Sequence, residues 1–248
     1  RSSGEKNMLE LILSGIVVLI THALEAVTGF GCTVLALPFV TALLGMTRGI
    51  LLLTILAWIL ALYIVIKNIK HIAWKELAVI LLFVLMGLPF GIYLFNIIDA
   101  AVIKKILASF IIVSAAIQLI KLLVLKTDRT VLPRWAGYML LFAGGIVHGM
   151  FSSGGPFVVL YASGAIKDKS QFRASLCVLW STLNTIIIVT YILKGRFSMQ
   201  SFIDLGAAIP FLIGGIIIGE ALHHKVNART FSIIVFSMLL ATGIIMIL

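Results

Sequence analysis

The sequence predicts an all-α polytopic membrane protein. It is built from two pseudo-symmetric, inverted repeats of four hydrophobic segments, and the first segment of each repeat is broken or re-entrant. Three observations predict it. Of the 248 residues 62% are hydrophobic and 11% charged, whereas a soluble domain is about 25% charged, and the mean hydropathy is +1.21. Apolar stretches of membrane-crossing length recur to the end of the chain. Distinctive residues recur in the same order about 125 positions apart.

The apolar segments fall at 8–45, 50–66, 76–98, 101–123, 135–166, 172–193, 200–222 and 228–247. They are apolar on every face, which suits lipid rather than a half-wet surface helix. Runs of this length are helices, not strands of a soluble sheet. The short separators carry most of the charge, including Arg48, the run Lys67–Lys75, Lys104–Lys105 and Lys194–Arg196. The 19 Lys and Arg against 9 Asp and Glu are therefore loop charges that orient the chain, and nucleic acid is not an expected partner. Cys32 and Cys177 lie far apart in apolar stretches. They form neither a disulfide framework nor a metal-ligand pattern, so no metal or other cofactor is expected.

The first and fifth segments are too long for one crossing and are interrupted. Thr28-Gly29-Phe30-Gly31, with Pro38 beyond, breaks the first; Ser152-Ser153-Gly154-Gly155-Pro156 breaks the fifth. Glycine and proline together stop a helix and leave backbone groups unpaired. In hydrocarbon that is tolerated only where the backbone is buried in protein or lines a cavity. After Gly155 about a dozen residues remain before Lys167. At 1.5 Å each they reach roughly 18 Å, too short to span. Each broken segment is thus read as a re-entrant V with its tip near the midplane.

The two breaks occupy matching places. His22 and His148 precede them 126 residues apart, Arg48 and Arg173 follow 125 apart, and Trp58 and Trp180 sit 122 apart in the next helix. Gly87 and Gly91 recur as Gly215 and Gly219, and Asp99 and Asn227 each open a last helix. The ordered series predicts a transmembrane repeat over 8–123, a basic linker over 124–134 and a second transmembrane repeat over 135–248. Broken helices at corresponding positions of two repeats are the pattern of a secondary transporter. With V-shaped first segments, one side of the membrane holds 7 Lys and Arg and the other 12. The positive-inside bias then puts the linker in the cytoplasm and both termini outside.

The broken stretches carry the candidate chemistry. Helix N-termini at a break offer backbone N–H groups and the positive end of a helix dipole to an anion. The candidate substrate-binding set is Thr28, Gly29, Phe30 and Gly31 in the first break and Ser152, Ser153, Gly154 and Gly155 in the second. To these are added Trp58, Trp180 and Asn184 on a partly polar face of the following helices. The competing reading is close helix packing, for which small residues are also common. His22 and Glu25 share one helix face. With His148 they are candidates for proton coupling, since an ionisable group inside a membrane is a functional hypothesis by default. Phe151 stands where Glu25 would recur, so any role of Glu25 belongs to the first repeat alone. Arg48 and Arg173 are candidate anion-attracting or gating groups, with membrane-edge anchoring as the alternative. Asp204 and Glu220 are expected to reach the interface, and the Gly87/Gly91 and Gly215/Gly219 pairs to pack helices closely. No nucleotide site and no nucleophile–base motif is present in the sequence, so transport would be passive or ion-coupled, not enzymatic.

Thr28-Gly29-Phe30-Gly31 followed by Leu35-Ala36-Leu37-Pro38 resembles the first-helix signature of the sulfite exporter TauE/SafE family. His148-Gly149-Met150-Phe151-Ser152-Ser153-Gly154-Gly155-Pro156 resembles its second signature, as does Arg173-Ala174-Ser175 leading into a helix. The resemblance extends over nearly the whole chain. Where members often carry further glycines this chain has Cys32-Thr33, and after Arg48 it has Gly49-Ile50-Leu51. The resemblance implies a multi-pass transporter in the cell membrane (the cytoplasmic membrane in a prokaryote) exporting a small sulfur oxyanion or organosulfonate. The expected partners are that anion, protons and the lipid bilayer; an oligomer is left open. An anion channel for oxyanions or carboxylates is the first alternative. An intramembrane enzyme using Ser152 or Ser153 with His148 is the second.

Overall fold

The computed structural model describes residues 3–97, 100–125, 133–152, 154–166, 168–223, 225 and 227–247. Asp99, Ser153 and most of the 124–134 linker lie outside them. The described residues form helices α1 (Ser3–Thr28), α2 (Cys32–Leu44), α3 (Met46–Asn68), α4 (Trp74–Leu94), α5 (Ala100–Ile120), α6 (Arg134–Phe151), α7 (Gly155–Ala165), α8 (Lys169–Leu193), α9 (Met199–His223) and α10 (Ala228–Ile247). Among the described residues no strand occurs, and five helices are long and apolar enough to cross a membrane. The chain is a polytopic all-helical membrane protein.

Helix boundaries follow local chemistry. α1 stops at Thr28 because Gly29 and Gly31 take φ of 85° and 107°, a left-handed region that side chains disfavour. α6 stops at Ser152, which itself adopts φ 53°. α7 starts with Pro156 in its first turn, where a missing N–H costs nothing. Asn227 opens α10 by accepting the Arg229 N–H at 2.9 Å, an N-cap contact.

Helices α1 and α9 are inside-out relative to soluble ones. On α9 the buried positions are Asp204, Ala208, Leu212, Gly215 and Gly219, while Phe202, Ile203, Ile213 and Ile217 are exposed. On α1 Ser14, Thr21, His22, Glu25 and Thr28 are buried, while Ile12, Leu13, Ile16 and Ile20 face out. Lipid solvates the large aliphatics of these two helices and leaves their small and polar residues facing the interior, while α3 buries large aliphatics there, among them Ile50, Leu52, Leu53, Leu56, Leu60 and Ile64.

The chain divides into two compact units, each drawing on both halves of the sequence: Arg1–Ile69 with Leu176–His224, and Lys70–Ser175 with Lys225–Leu248.

In the first unit α1 packs along α9. A Cβ on Gly215 would meet Leu19 O and Ala23 N at 2.8 and 3.2 Å, and one on Gly219 would meet Ala23 O at 2.6 Å. The His223 Nδ1–H donates to Val27 O at 2.8 Å. Positions rise together on both helices, so α1 and α9 run in the same direction. Arg48 joins Asp204 near the starts of α3 and α9, and Lys67 joins Glu220 near their ends. α3 is therefore also parallel to α9. With α1 and α3 co-directional, the 13-residue α2 between them runs back. α1 is longer than a half-crossing: Met8–Thr28 is 21 residues, about 31 Å of helix. The sequence reading had not distinguished this long arm from the short return arm.

In the second unit α4 packs along α6. Cβ atoms on Gly87, Gly91, Gly145 and Gly149 would all strike facing backbone, at Phe142, Ile146, Val84 and Leu88 respectively. Here too the positions rise together. α7 folds back on α6: a Cβ on Gly137 would meet the Tyr161 ring at 2.6 Å, and one on Gly144 would meet Phe157 Cβ at 3.0 Å. Tyr138 stacks on Phe83 at 4.5 Å and tilts against Tyr161 at 6.2 Å. α5 packs on α10, with the Arg229 guanidinium donating to Leu122 O at 3.0 Å. The Gly87/Gly91 and Gly215/Gly219 pairs thus serve close helix packing.

Candidate functional site: the two helix breaks

The first break is a short left-handed passage between α1 and α2. The first N–H groups of a helix have no partner within it. At α2 these belong to Cys32, Thr33 and Val34, while the Leu35 N–H already reaches Gly31 O at 3.0 Å. Glu25, one turn before the end of α1, reaches across the break. Its Oε2 accepts the Cys32 N–H at 2.8 Å. Its side chain is only 3% exposed, and Oε1 has no hydrogen-bond partner among the described residues. A carboxylate at a helix N-terminus is favoured by both the free N–H groups and the dipole.

The surrounding polar groups hold the break in place. Thr28 Oγ1 lies 2.8 Å from Leu24 O and 3.0 Å from Phe30 O, so the hydroxyl is turned onto backbone. The Trp180 indole N–H donates to Gly29 O at 2.8 Å, which ties the middle of α8 to the tip. Trp58, half-buried on α3, donates to Thr185 Oγ1 at 2.8 Å. Asn184 is buried one turn beyond Trp180 on the same helix. His22, fully buried, donates from Nδ1 to Val18 O at 2.9 Å. In the neutral ring Nε2 is then an acceptor, and it meets no partner among the described residues. Ser14 Oγ is a third such buried atom on α1. At 100° per residue, Ser14, His22 and Glu25 fall within about 80° of one helix face.

Of the sequence-predicted residues, His22, Glu25, Thr28, Gly29, Phe30, Gly31 and Trp180 are brought together here. Arg48 is not. It lies in the first turn of α3, where Nε and Nη2 grip the two Asp204 oxygens at 3.0 and 2.8 Å. Gln200 Nε2 donates to the same carboxylate at 3.0 Å. Asp204, expected at the interface, is instead 2% exposed. The clamp explains the difference, because a bidentate guanidinium satisfies a carboxylate without water.

The second break holds Ser152, Gly154 and Gly155, all buried, and Ser153 lies outside the described residues. The Ser152 N–H closes the last turn of α6 on His148 O at 2.7 Å. A Cβ on Gly154 would strike Gly144 O and come within 2.9 Å of His148 Cβ, so only glycine fits there. His148 and Arg173 are both buried in this unit. Phe151, where Glu25 would recur, is 1% exposed, so this break holds no counterpart carboxylate at that position.

Sequence reading expected Asp204 at the interface and did not single out Gln200, Thr185 or His223. Asp204 and His223 lie toward the two ends of α9, where a polar residue is equally suited to the interface. Their only sequence signal is helical register with Ala208, Leu212, Gly215 and Gly219, the small-residue face of α9.

No curated protein and no solved structure matches the chain. The family model for the sulfite exporter TauE/SafE matches residues 14–246. That match takes in both breaks and every candidate residue, and by it the chain belongs to the sulfite exporter TauE/SafE family of membrane transporters.

Proposed function

We propose that this protein is a secondary transporter exporting a small sulfur-containing anion, sulfite or an organosulfonate, coupled to protons. The anion is held by backbone N–H groups at the glycine-rich breaks, with Ser152 and Ser153 as hydroxyl donors and Thr28, its hydroxyl held on backbone, shaping the first break. The carrying observation is the Glu25 carboxylate on the Cys32 N–H. An oxyanion of the chain itself already sits at the α2 N-terminus, which is the chemistry a sulfite oxygen needs. Family membership supplies the sulfur anion. Glu25, His22 and His148 are the proposed proton carriers, and Trp58, Trp180 and Asn184 the closing face.

Membrane topology supports the same reading. In this reading the starts of α3 and α9, joined by Arg48–Asp204, lie on one side of the membrane, and their ends, joined by Lys67–Glu220, lie on the other. An even number of crossings must then separate those starts. Four crossings, by α3, α4, α5 and α8, satisfy this when α6 and α7 together make a re-entrant pair. The 19 residues from Arg48 to Lys67 and the 16 from Asp204 to Glu220 rise about 28 and 24 Å, close to a hydrocarbon thickness of about 30 Å. The duplication over 8–123 and 135–248 remains part of this proposal.

A thermal-shift screen of the purified protein tests the substrate class. Sulfite or an organosulfonate at 100 times its dissociation constant is expected to add about 2.7 kcal/mol of stability, and a simple carboxylate much less. Equal shifts for all anions would remove the sulfur assignment.

A further inference from the structure

The first break has an occupant that the second lacks at the matching position. The Glu25 carboxylate reaches the N-terminus of the 13-residue α2 and takes the Cys32 N–H, while its other oxygen is buried with no partner among the described residues. A buried carboxylate oxygen with no donor is costly if its only purpose is to cap a helix. The N-cap position of α2 is already Gly31, a residue favoured there, so the helix does not depend on Glu25 for its cap residue. Gly29 and Gly31 are both in left-handed conformation, so no Cβ between Thr28 and Cys32 screens α2 except that of Phe30.

We propose that Glu25 is a tethered competitor: its carboxylate holds the anion position at the α2 N-terminus, and a substrate oxyanion binds the Cys32, Thr33 and Val34 N–H groups by displacing it. This rests on the reading of the break as an oxyanion site. Sulfite presents a pyramid of oxygens and a carboxylate a planar pair, but both offer anionic acceptors at hydrogen-bond distance from the same donors. Displacement links anion entry to release of the Glu25 side chain. The released side chain has titratable groups beside it that can exchange a proton with it, His22 one turn back on its own helix and Cys32 on α2, while His223 of α9 is held on Val27 O. The charged groups of α3, Arg48 and Lys67, are already engaged by Asp204 and Glu220 of α9.

A self-occupied site lowers apparent affinity by the fraction of time it is open. With the plug seated about nine-tenths of the time, Glu25→Gln is expected to bind sulfite about tenfold more tightly than the wild type by calorimetry on the full chain. The amide keeps an acceptor for the Cys32 N–H but loses the charge. Where the wild type binds sulfite, unchanged or weaker binding by a variant that elutes and melts like the wild type would overturn the proposal. Glu25→Ala gives a second arm that needs no sulfur substrate. Formate should bind this variant at the vacated N–H groups and not bind the wild type. Equal formate binding to both proteins would also overturn it. If the wild type binds no sulfite while formate distinguishes the two, the plug stands and the sulfur-anion reading fails.

Discussion

Single residues hold the first break in its shape, and each makes a separate prediction. Trp180 supplies the hydrogen bond to Gly29 O. Trp180→Phe keeps an aromatic ring but loses the N–H and part of the indole, so it should lower stability by at least about 1 kcal/mol and loosen the tip. Thermal unfolding in detergent reads the first effect, and protease sensitivity at residues 28–32 the second. Gly31 stands at φ 107° in open space, its nearest neighbour being Leu35 at 4.0 Å. Gly31→Ala should therefore cost about 1–2 kcal/mol from backbone conformation alone. Asp204 is buried under the Arg48 fork with Gln200. Asp204→Asn leaves a guanidinium without its anion and should cost about 1.5–3 kcal/mol. Arg48 is itself 41% exposed, so water recovers part of the loss and the lower half of that range is expected.

At the scale of elements, glycine sets how close the helices come. A Cβ at Gly219 would strike Ala26 Cβ and lie 2.6 Å from Ala23 O, so Gly219→Val should push α9 off α1 and unfold the first unit. Gly206 on the same helix has nothing within 4 Å. Gly206→Ala should be neutral or stabilise by up to about 1 kcal/mol. Comparing the two melting temperatures separates packing from helix propensity. The elements were legible in the sequence because Gly, Pro and charge punctuate them. The breaks fell where Thr28–Gly31 and Ser152–Pro156 indicated, and α6 and α7 divide the fifth segment at that point. Pairing between elements was not legible. Nothing in residues 76–98 says that α4 lies along α6, since the glycines that permit the contact would suit any partner. Glu25 was legible as a buried ionisable group, but its bond to Cys32 N needed the path of the chain through Gly29 and Gly31.

At the scale of the whole molecule, the charge excess and the apolar surface answer to the bilayer. Ile66, Leu193 and Met199 are among the most exposed side chains, which lipid accepts and water would not. The proposed site uses almost none of the 19 Lys and Arg; in it backbone N–H groups and helix dipoles would do the binding. A transporter built this way should show anion flux that saturates and depends on the break, not on surface lysines. The most direct measurement is efflux of radiolabelled sulfite from proteoliposomes under an imposed pH gradient, for the wild type and for Gly31→Leu, whose side chain crowds the α2 N-terminus. The account predicts saturable efflux that the gradient accelerates and that the variant reduces at least about tenfold, equivalent to about 1.4 kcal/mol. Efflux no faster than from empty liposomes, or efflux that the variant leaves unchanged, would contradict it.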